Sequence, residues 1–258
     1  GGTKQQTIKL WGSAEDQQML AQMVESFKKD NTQYADVDIQ IAVMGENDAK
    51  TEILKDLTKG ADVFAFSNDQ IGELVDNSAL YDLSNAAGTA DVKSRNAESA
   101  IQAATVGGKL YAYPSSAESY YLFYNKDVYT ADDVKTLEGM IAKKAEGKKT
   151  LVAQFNEGYY TPMFFAAAGC TLYGTGGSDP ADCTWNNANG LKAAKYMKTL
   201  KANGIEYMSE SDLKSTFIAK TTSAVITGTW NYKTLKDGLG DKLGLAVLPT
   251  VTFSGDAT

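Results

Sequence analysis

The stretch GGKLYAYPSSAESYYLFYNKD, residues 107–127, places two aromatic strand patterns on either side of Pro114, Ser115 and Ser116. The second pattern carries Tyr120, Tyr121, Phe123 and Tyr124. Aromatic residues at this density suit a pleated, half-buried strand. The stretch reads as a β connection between two lobes, with the crossing near residues 110–125.

Upstream of it, Thr7–Trp11 (TIKLW) reads as a short strand ending at Gly12 and Ser13. Ser13-x-x-Asp16 has the form of a capping box opening a helix. Met19, Leu20, Met23, Val24 and Phe27 recur at helical spacing and give that helix one apolar face. Trp11, Met19 and Met23 are expected in the core. Val37, Ile39, Ile41 and Val43 alternate with polar residues, which is a strand signal. A polar helix follows through Ile53, Leu54 and Leu57, and then a compact apolar strand, Asp62–Phe66 (DVFAF). Alternating strands and helices build a largely parallel sheet covered by helices. Ligands of such sheets bind outside the carboxyl ends of the strands. The polar segments GSAED and SNDQIG, just after TIKLW and DVFAF, are therefore the places to look.

Downstream, Thr150–Phe155 (TLVAQF) and Ser223–Thr227 (SAVIT) are apolar strands. Leu191, Ala194, Met197 and Leu200 mark an amphipathic helix, capped by one of the preceding Asn residues. Ser209-x-x-Asp212 is a second cap pattern, and Leu243–Leu248 is a last strand stopped at Pro249. The lysine-rich run Lys143–Lys149 is most simply a solvated helix end.

Composition narrows the chemistry. The 258 residues include 32 acidic and 25 basic ones, a formal net charge of -7. An acidic chain repels phosphate backbones, so nucleic acid is not expected as a partner. Histidine is absent altogether. That removes Ser-His-Asp and Cys-His catalysis, His-ligated zinc and the usual neutral-pH general base. Carboxylate chemistry, or binding without chemistry, remains. No apolar run is long enough to span a membrane. The Gly-Gly start reads either as an expression scar or as the spacer after a lipidated cysteine. Cys170 and Cys183 are the only cysteines and bracket a loop rich in Gly, Asp and Pro. They are either two unpaired thiols or a disulfide stapling the loop. The disulfide is the expectation adopted, and it implies an oxidising, extracytoplasmic setting. No metal site is expected, since two sulfurs alone hold a metal poorly.

Aromatic residues beside polar ones form the leading functional pattern. Sugars stack their C–H faces on aromatic rings and need carboxylate or amide partners for their hydroxyls. Phe66 precedes Ser67-Asn68-Asp69-Gln70, Glu157 and Tyr159 follow TLVAQF, and Trp230, Asn231 and Tyr232 follow SAVIT through Gly228. Each cluster lies just past an apolar strand. Paired carboxylates could instead hydrolyse a glycosidic bond, a weak signal in a chain with so many acids.

The order TIKLWGSAED, AQMVESFKKDN, GADVFAFSNDQIGELVDNSALYDL and GGKLYAYPSSAESYYLFYNKD resembles the extracellular solute-binding proteins of ABC importers, in their maltose/maltodextrin-binding branch. GKLYAYP-x3-E-x5-YNKD is its most specific marker. NEGYYTPMFFAAAG, AVITGTWNY and LGLAVLPT follow in the expected order. The resemblance implies an α/β, two-lobed periplasmic-binding-protein-like fold of type II, each lobe a mixed sheet flanked by helices. Residues 1–113 would form the N-terminal lobe and 114–258 the C-terminal lobe, with a ligand cleft between them that closes on the ligand. Carried over by position, Glu15 and Asp16 match a polar pair after the first strand. Phe66 matches a stacking position, and Asp69 a carboxylate bonding sugar hydroxyls. Glu118 matches an acidic residue at the interlobe crossing. Glu157, Tyr159 and Trp230 match sugar contacts of the second lobe, and Tyr232 joins them in the WNY cluster. Gln70, Gly158 and Phe66 depart from the sugar binder's basic residue, proline and tryptophan, which bears on the glycan rather than on the family.

The implied function is binding of an oligosaccharide, maltose or maltodextrin, and its delivery to an ABC transporter permease. No enzyme activity and no cofactor are implied. The protein would be a monomer, extracytoplasmic, as a cell-surface lipoprotein or in the periplasm. Family members are typically longer, so the chain reads as C-terminally truncated, lacking the segments that return to both lobes. A different carbohydrate, a non-sugar solute, a carboxylate-based glycoside hydrolase and a purely structural surface module are the alternatives.

Overall fold

The structure is a computed structural model. It describes residues 6–177 and 179–253, so the Gly-Gly start and the last five residues lie outside it. The chain divides into two compact units, residues 1–117 and 118–258.

Unit 1 opens with strand β1 (Thr7–Gly12), helix α1 (Gln17–Asp30), β2 (Asp38–Val43), α2 (Glu46–Lys55) and β3 (Val63–Phe64). The strands form a parallel sheet in the order β2-β1-β3. Register brings Ile8 beside Ile39 and sets Leu10 between Ile41 and Val63. Helices α3 (Ile71–Asp76), α4 (Thr89–Arg95) and α5 (Glu98–Ala103) follow. A hairpin of β4 (Thr105–Val106) and β5 (Lys109–Leu110) comes next. Its two-residue turn is Gly107-Gly108, at φ 56° and 79°. Two consecutive positive φ values are what a twist-matched tight hairpin demands and what only glycine adopts freely.

Three expectations for unit 1 are corrected. Ser13 and Asp16 form no capping box; Asp16 N–H donates to the Ser13 carbonyl at 3.2 Å, and the helix begins one turn later at Gln17. Met19 and Met23 are not core residues but 48% and 58% exposed, because the half-buried side of α1 is the one with Leu20 and Val24. DVFAF contributes only Val63 and Phe64 to the ladder.

Unit 2 contains β6 (Tyr120–Asn125), α6 (Leu137–Ala142), β7 (Leu151–Ala153), α7 (Pro162–Ala167), α8 (Ala188–Met197), β8 (Ile205–Tyr207), α9 (Glu210–Ile218), β9 (Ala224–Gly228), α10 (Tyr232–Leu239) and β10 (Leu243–Ala246). The five-stranded sheet runs β10-β6-β9-β7-β8, antiparallel across β10, β6 and β9 and parallel across β9, β7 and β8. Successive strand residues face opposite sides, so the buried strands feed two cores. Leu122, Tyr124, Leu151, Ala153, Ala224 and Ile226 pack with Leu137 and Met140 of α6, Phe164 of α7 and Ala193 of α8. Phe123, Val152, Val225 and Leu243 pack on the other side with Leu213 and Phe217 of α9 and Leu235 and Leu239 of α10. The result is a helix–sheet–helix sandwich.

Capping chemistry places two of these helices. The Asn187 side chain accepts from Gly190 N–H at 2.9 Å at the start of α8. The Ser209 hydroxyl accepts from Asp212 N–H at 3.2 Å at the start of α9. Such caps contribute about 1 kcal/mol each.

The expected Cys170–Cys183 disulfide is not present; both thiols are free. Cys170 is buried and its Sγ lies 3.7 Å from Asn187 Oδ1, whereas Cys183 is exposed. The loop is closed beside them by Thr171 and Thr184, whose backbones and hydroxyl exchange hydrogen bonds of 2.8 and 3.0 Å.

Candidate functional site

In unit 1 the carboxyl ends of three parallel strands share one edge of the sheet. The loop after β1 carries Glu15, exposed, and Asp16, half-buried. Gln17 fixes that loop: its Nε2 donates to the carbonyls of Gly12 and Ser13 at 3.1 and 3.0 Å and lies 3.4 Å from the Ala42 carbonyl on β2. After β3, Phe66 is half-buried against Phe64, ring centroids 5.6 Å apart. Asp69 is exposed in the short helical turn Asn68–Gln70. The Gln70 amide lies 3.4 Å from the Asn47 carbonyl, beside α2.

Unit 2 gathers its candidates more tightly, at the carboxyl ends of β7 and β9. Tyr159 follows β7 through a turn in which Glu157 N–H donates to the Gln154 carbonyl at 2.9 Å. The Glu157 carbonyl then accepts from the Thr161 hydroxyl at 2.9 Å. Tyr120, the first residue of β6, pairs in register with Gly228, the last of β9. Tyr159 stands edge-on to Tyr120 at 5.1 Å and to Tyr160 at 5.2 Å. It is tilted to Trp230 at 6.4 Å. Tyr120 and Tyr160 are also in contact, at 5.1 Å. Tyr160 is buried, while Tyr159 and Trp230 remain 54% and 42% exposed. Two ring surfaces thus stand open to solvent, Tyr159 against Tyr120 and Tyr160, and Trp230 beside Tyr159.

Trp230 is held from two sides. Its ring lies against Gly228, where a Cβ would fall 2.0 Å from a ring carbon, so only glycine fits under this indole. Its Nε1–H donates to Glu210 Oε1 at 3.0 Å. Asn231 Nδ2, buried beside it, donates to the same oxygen and to Thr227 Oγ1, each at 2.8 Å.

Burial keeps the phenols of this cluster protonated well past neutrality. It raises Tyr120, with Tyr159 adding to the effect, and it raises Tyr159, with the negative charge of Glu118 adding to it. Tyr160 is pushed up to about 12 by burial, tempered by a hydrogen bond with Thr227. Neutral phenols both donate and accept, as sugar hydroxyls require.

The candidates therefore separate. Tyr159 and Trp230 meet in one cluster, and Glu118 sits within electrostatic reach of Tyr159. Glu157 is exposed in the turn leading to Tyr159. Tyr232 begins α10 and is 47% exposed, but among the described residues it makes no ring contact with the cluster. Tyr160, Thr227 and above all Glu210 were missing from the sequence reading. Glu210 stands twenty positions before Trp230, and no local spacing signals that pairing.

An apolar cavity of about 410 Å³ also lies in unit 2, lined by Leu137, Leu151, Phe164, Ile226, Leu248 and Val251 among others, and by none of the candidate residues. Among the described residues no group of three His, Cys, Asp or Glu side chains could hold a metal ion.

The chain belongs to the bacterial extracellular solute-binding protein family, whose profile matches residues 22–258. A galactooligosaccharide-binding protein of Bacillus subtilis is 28% identical, over 96% of this chain and 61% of its own length. A protein whose structure was solved with acarbose is 31% identical at a TM-score of 0.88, covering 98% of this chain and 66% of the other. A maltodextrin-binding protein from L. casei BL23, solved without ligand, is 30% identical at a TM-score of 0.82, with the same coverage. The chain thus spans about two-thirds of the length of these relatives. Among the described residues no helix is long and apolar enough to cross a membrane.

Proposed function

We propose that the protein binds an oligosaccharide of the maltodextrin type and hands it to the permease of an ABC importer. The observation that carries this reading is the exposed pair Tyr159 and Trp230 at the carboxyl edge of β7 and β9, with Tyr159 standing on buried Tyr160 and half-buried Tyr120 and Trp230 beside it. Open aromatic faces bind the C–H patches of a pyranose. Neutral tyrosine hydroxyls and the carboxylates of Glu118 and Glu157 would take its hydroxyl groups. In unit 1, Glu15, Asp16 and Asp69 are proposed as further hydroxyl acceptors and Phe66 as a further stacking ring, with Tyr232 kept as a peripheral contact of unit 2. Relatives named for maltodextrin and galactooligosaccharide, and one solved with acarbose, support a glycan over other solutes.

A galactooligosaccharide is the second reading, favoured by the Bacillus subtilis relative that aligns with 96% of this chain. The protein is proposed to act outside the cytoplasm, as a lipoprotein or in the periplasm, as a monomer and without catalysis. Calorimetric titration with maltodextrins, galactooligosaccharides, a peptide and a polyamine tests the ligand class. Heat with maltodextrin alone fixes the first reading, heat with galactooligosaccharide alone the second, and heat only with peptide or polyamine removes both. Release of new reducing ends from maltodextrin would make the protein an enzyme.

A further inference from the structure

Trp230 is one of the two open rings of the aromatic cluster, beside the more exposed Tyr159. It sits in the short helical turn Thr229–Asn231, between a strand end and α10, and is 42% exposed. An indole in such a place has few neighbours to fix its rotamer, and an unfixed ring loses affinity to ordering when a ligand stacks on it. Yet this indole is tethered. Its one polar atom, Nε1–H, is bonded to Glu210 at 3.0 Å, and one of its faces is closed by the backbone at Gly228.

Glu210 is itself fixed. It is the first residue of α9, whose N-terminus is capped by Ser209 and whose Leu213 and Phe217 are fully buried. A carboxylate in the first turn of a helix is stabilised by the unpaired N–H groups there. Oε1 accepts from Trp230 and from Asn231 together, and the Lys214 ammonium stands 4.0 Å away. Asn231 continues the chain of bonds to Thr227 inside β9. Both donors on one oxygen make a bracket across the indole and its neighbour, anchored to a packed helix on one side and to the sheet on the other.

We infer that Glu210 is a positioning residue for Trp230: it holds the indole flat on Gly228, so that the ring presents one preset face to a glycan. The inference rests on the proposed sugar-binding reading for its effect on affinity, but the clamp itself exists without ligand. It also has a chemical consequence. With Nε1–H satisfied by Glu210, Trp230 offers a ligand its π face and not a hydrogen bond. This platform would then read the apolar face of a sugar, leaving its hydroxyl pattern to other groups.

The test uses a protein in which Trp11 and Trp185 are replaced by Phe, so that fluorescence reports Trp230 alone. Glu210→Ala should lower the anisotropy of Trp230 and raise its collisional quenching. Glu210→Gln, which keeps the acceptor oxygen, should behave as the parent. Maltodextrin affinity should fall about tenfold in Glu210→Ala and change less than about threefold in Glu210→Gln. Combined with Trp230→Ala, Glu210→Ala should add no further loss, since a positioning residue acts only through the ring it positions. Parent-like anisotropy and affinity in Glu210→Ala would overturn the inference. So would a loss that persists in the Trp230→Ala background, which would make Glu210 a direct ligand contact. If the parent binds no glycan, the proposed function fails, and the anisotropy of the ligand-free variants still decides whether Glu210 holds the ring.

Discussion

Helices α1 and α9 each follow a strand and a short polar loop, yet they end in opposite states. α1 carries Met19, Leu20, Met23, Val24 and Phe27 and buries none of them. α9 has fewer large apolar residues and buries Leu213 and Phe217 completely. The same contrast holds for the sheets on which they sit. The central strand of unit 1 has only Gly12 buried, whereas every residue of β9 is buried. Apolar periodicity marks a face; what covers that face comes from elsewhere in the chain. In unit 2 helices pack on both sides of the sheet, and the aromatic platform stands at the ends of the buried strands β7 and β9. In unit 1 the buried residues gather in α2, α3, α4 and the region of the β4–β5 hairpin, around Ala49, Ile53, Leu74, Thr89 and Leu110, and the sheet itself is left half-covered.

If the two units differ in this way, the sharpest break comes from a core truncation. Phe217→Ala should destabilise unit 2 by about 3–5 kcal/mol, the cost of a large buried ring and the cavity it leaves. Urea unfolding followed by circular dichroism measures it, and a change near zero would show that α9 does not carry the packing described.

High pH should also act on unit 2. Burial pushes Tyr129 and Tyr160 up to about 12, above the ordinary phenol value near 10. A raised phenol pKa means that the folded state holds the proton longer than the unfolded chain. The stability is therefore fully present below pH ~10 and is lost as pH rises from there toward 12, by up to about 2–3 kcal/mol per tyrosine. The phenolate absorbance that Tyr129→Phe and Tyr160→Phe remove from the parent's titration should appear together with the loss of helix signal; its appearance before unfolding, near the ordinary pKa, would contradict the burial.

Gly228→Ala should be smaller in stability and larger in its effect on the site. The added methyl displaces the Trp230 ring and should weaken maltodextrin binding by about 1–3 kcal/mol, read by calorimetry. Unchanged affinity would separate the ring from the ligand. The least effect is expected from Met23→Ala on α1, within about 0.5 kcal/mol by the same urea measurement, because the side chain is already 58% exposed. A loss as large as that of Phe217→Ala would mean that unit 1 buries this face after all.

Much of this organisation was legible in the residues. Alternation placed β2 at Ile39 and Ile41, the Ser209 cap was readable as a local pattern, the α8 cap only as one of several preceding Asn residues, and the two polar segments after β1 and β3 do lie at one sheet edge. Tyr159 and Trp230 were legible as aromatics just past apolar strands. What escaped is long-range. The cysteines suggested a staple by their loop, but the fate of each thiol depends on which way it faces after α7 and α8 have packed. Glu210 was invisible because its role is defined by a contact twenty residues away, between a helix start and a strand end. Met19 and Met23 had the spacing of a core stripe, and spacing alone does not report what lies opposite.

Sugar stacking on Trp230 is tested most directly by a calorimetric maltodextrin titration of the protein beside Trp230→Ala, each checked by its melting curve. The variant should keep its melting temperature and bind about 1–3 kcal/mol more weakly, the loss of one stacking face. Equal dissociation constants for the two proteins would contradict it.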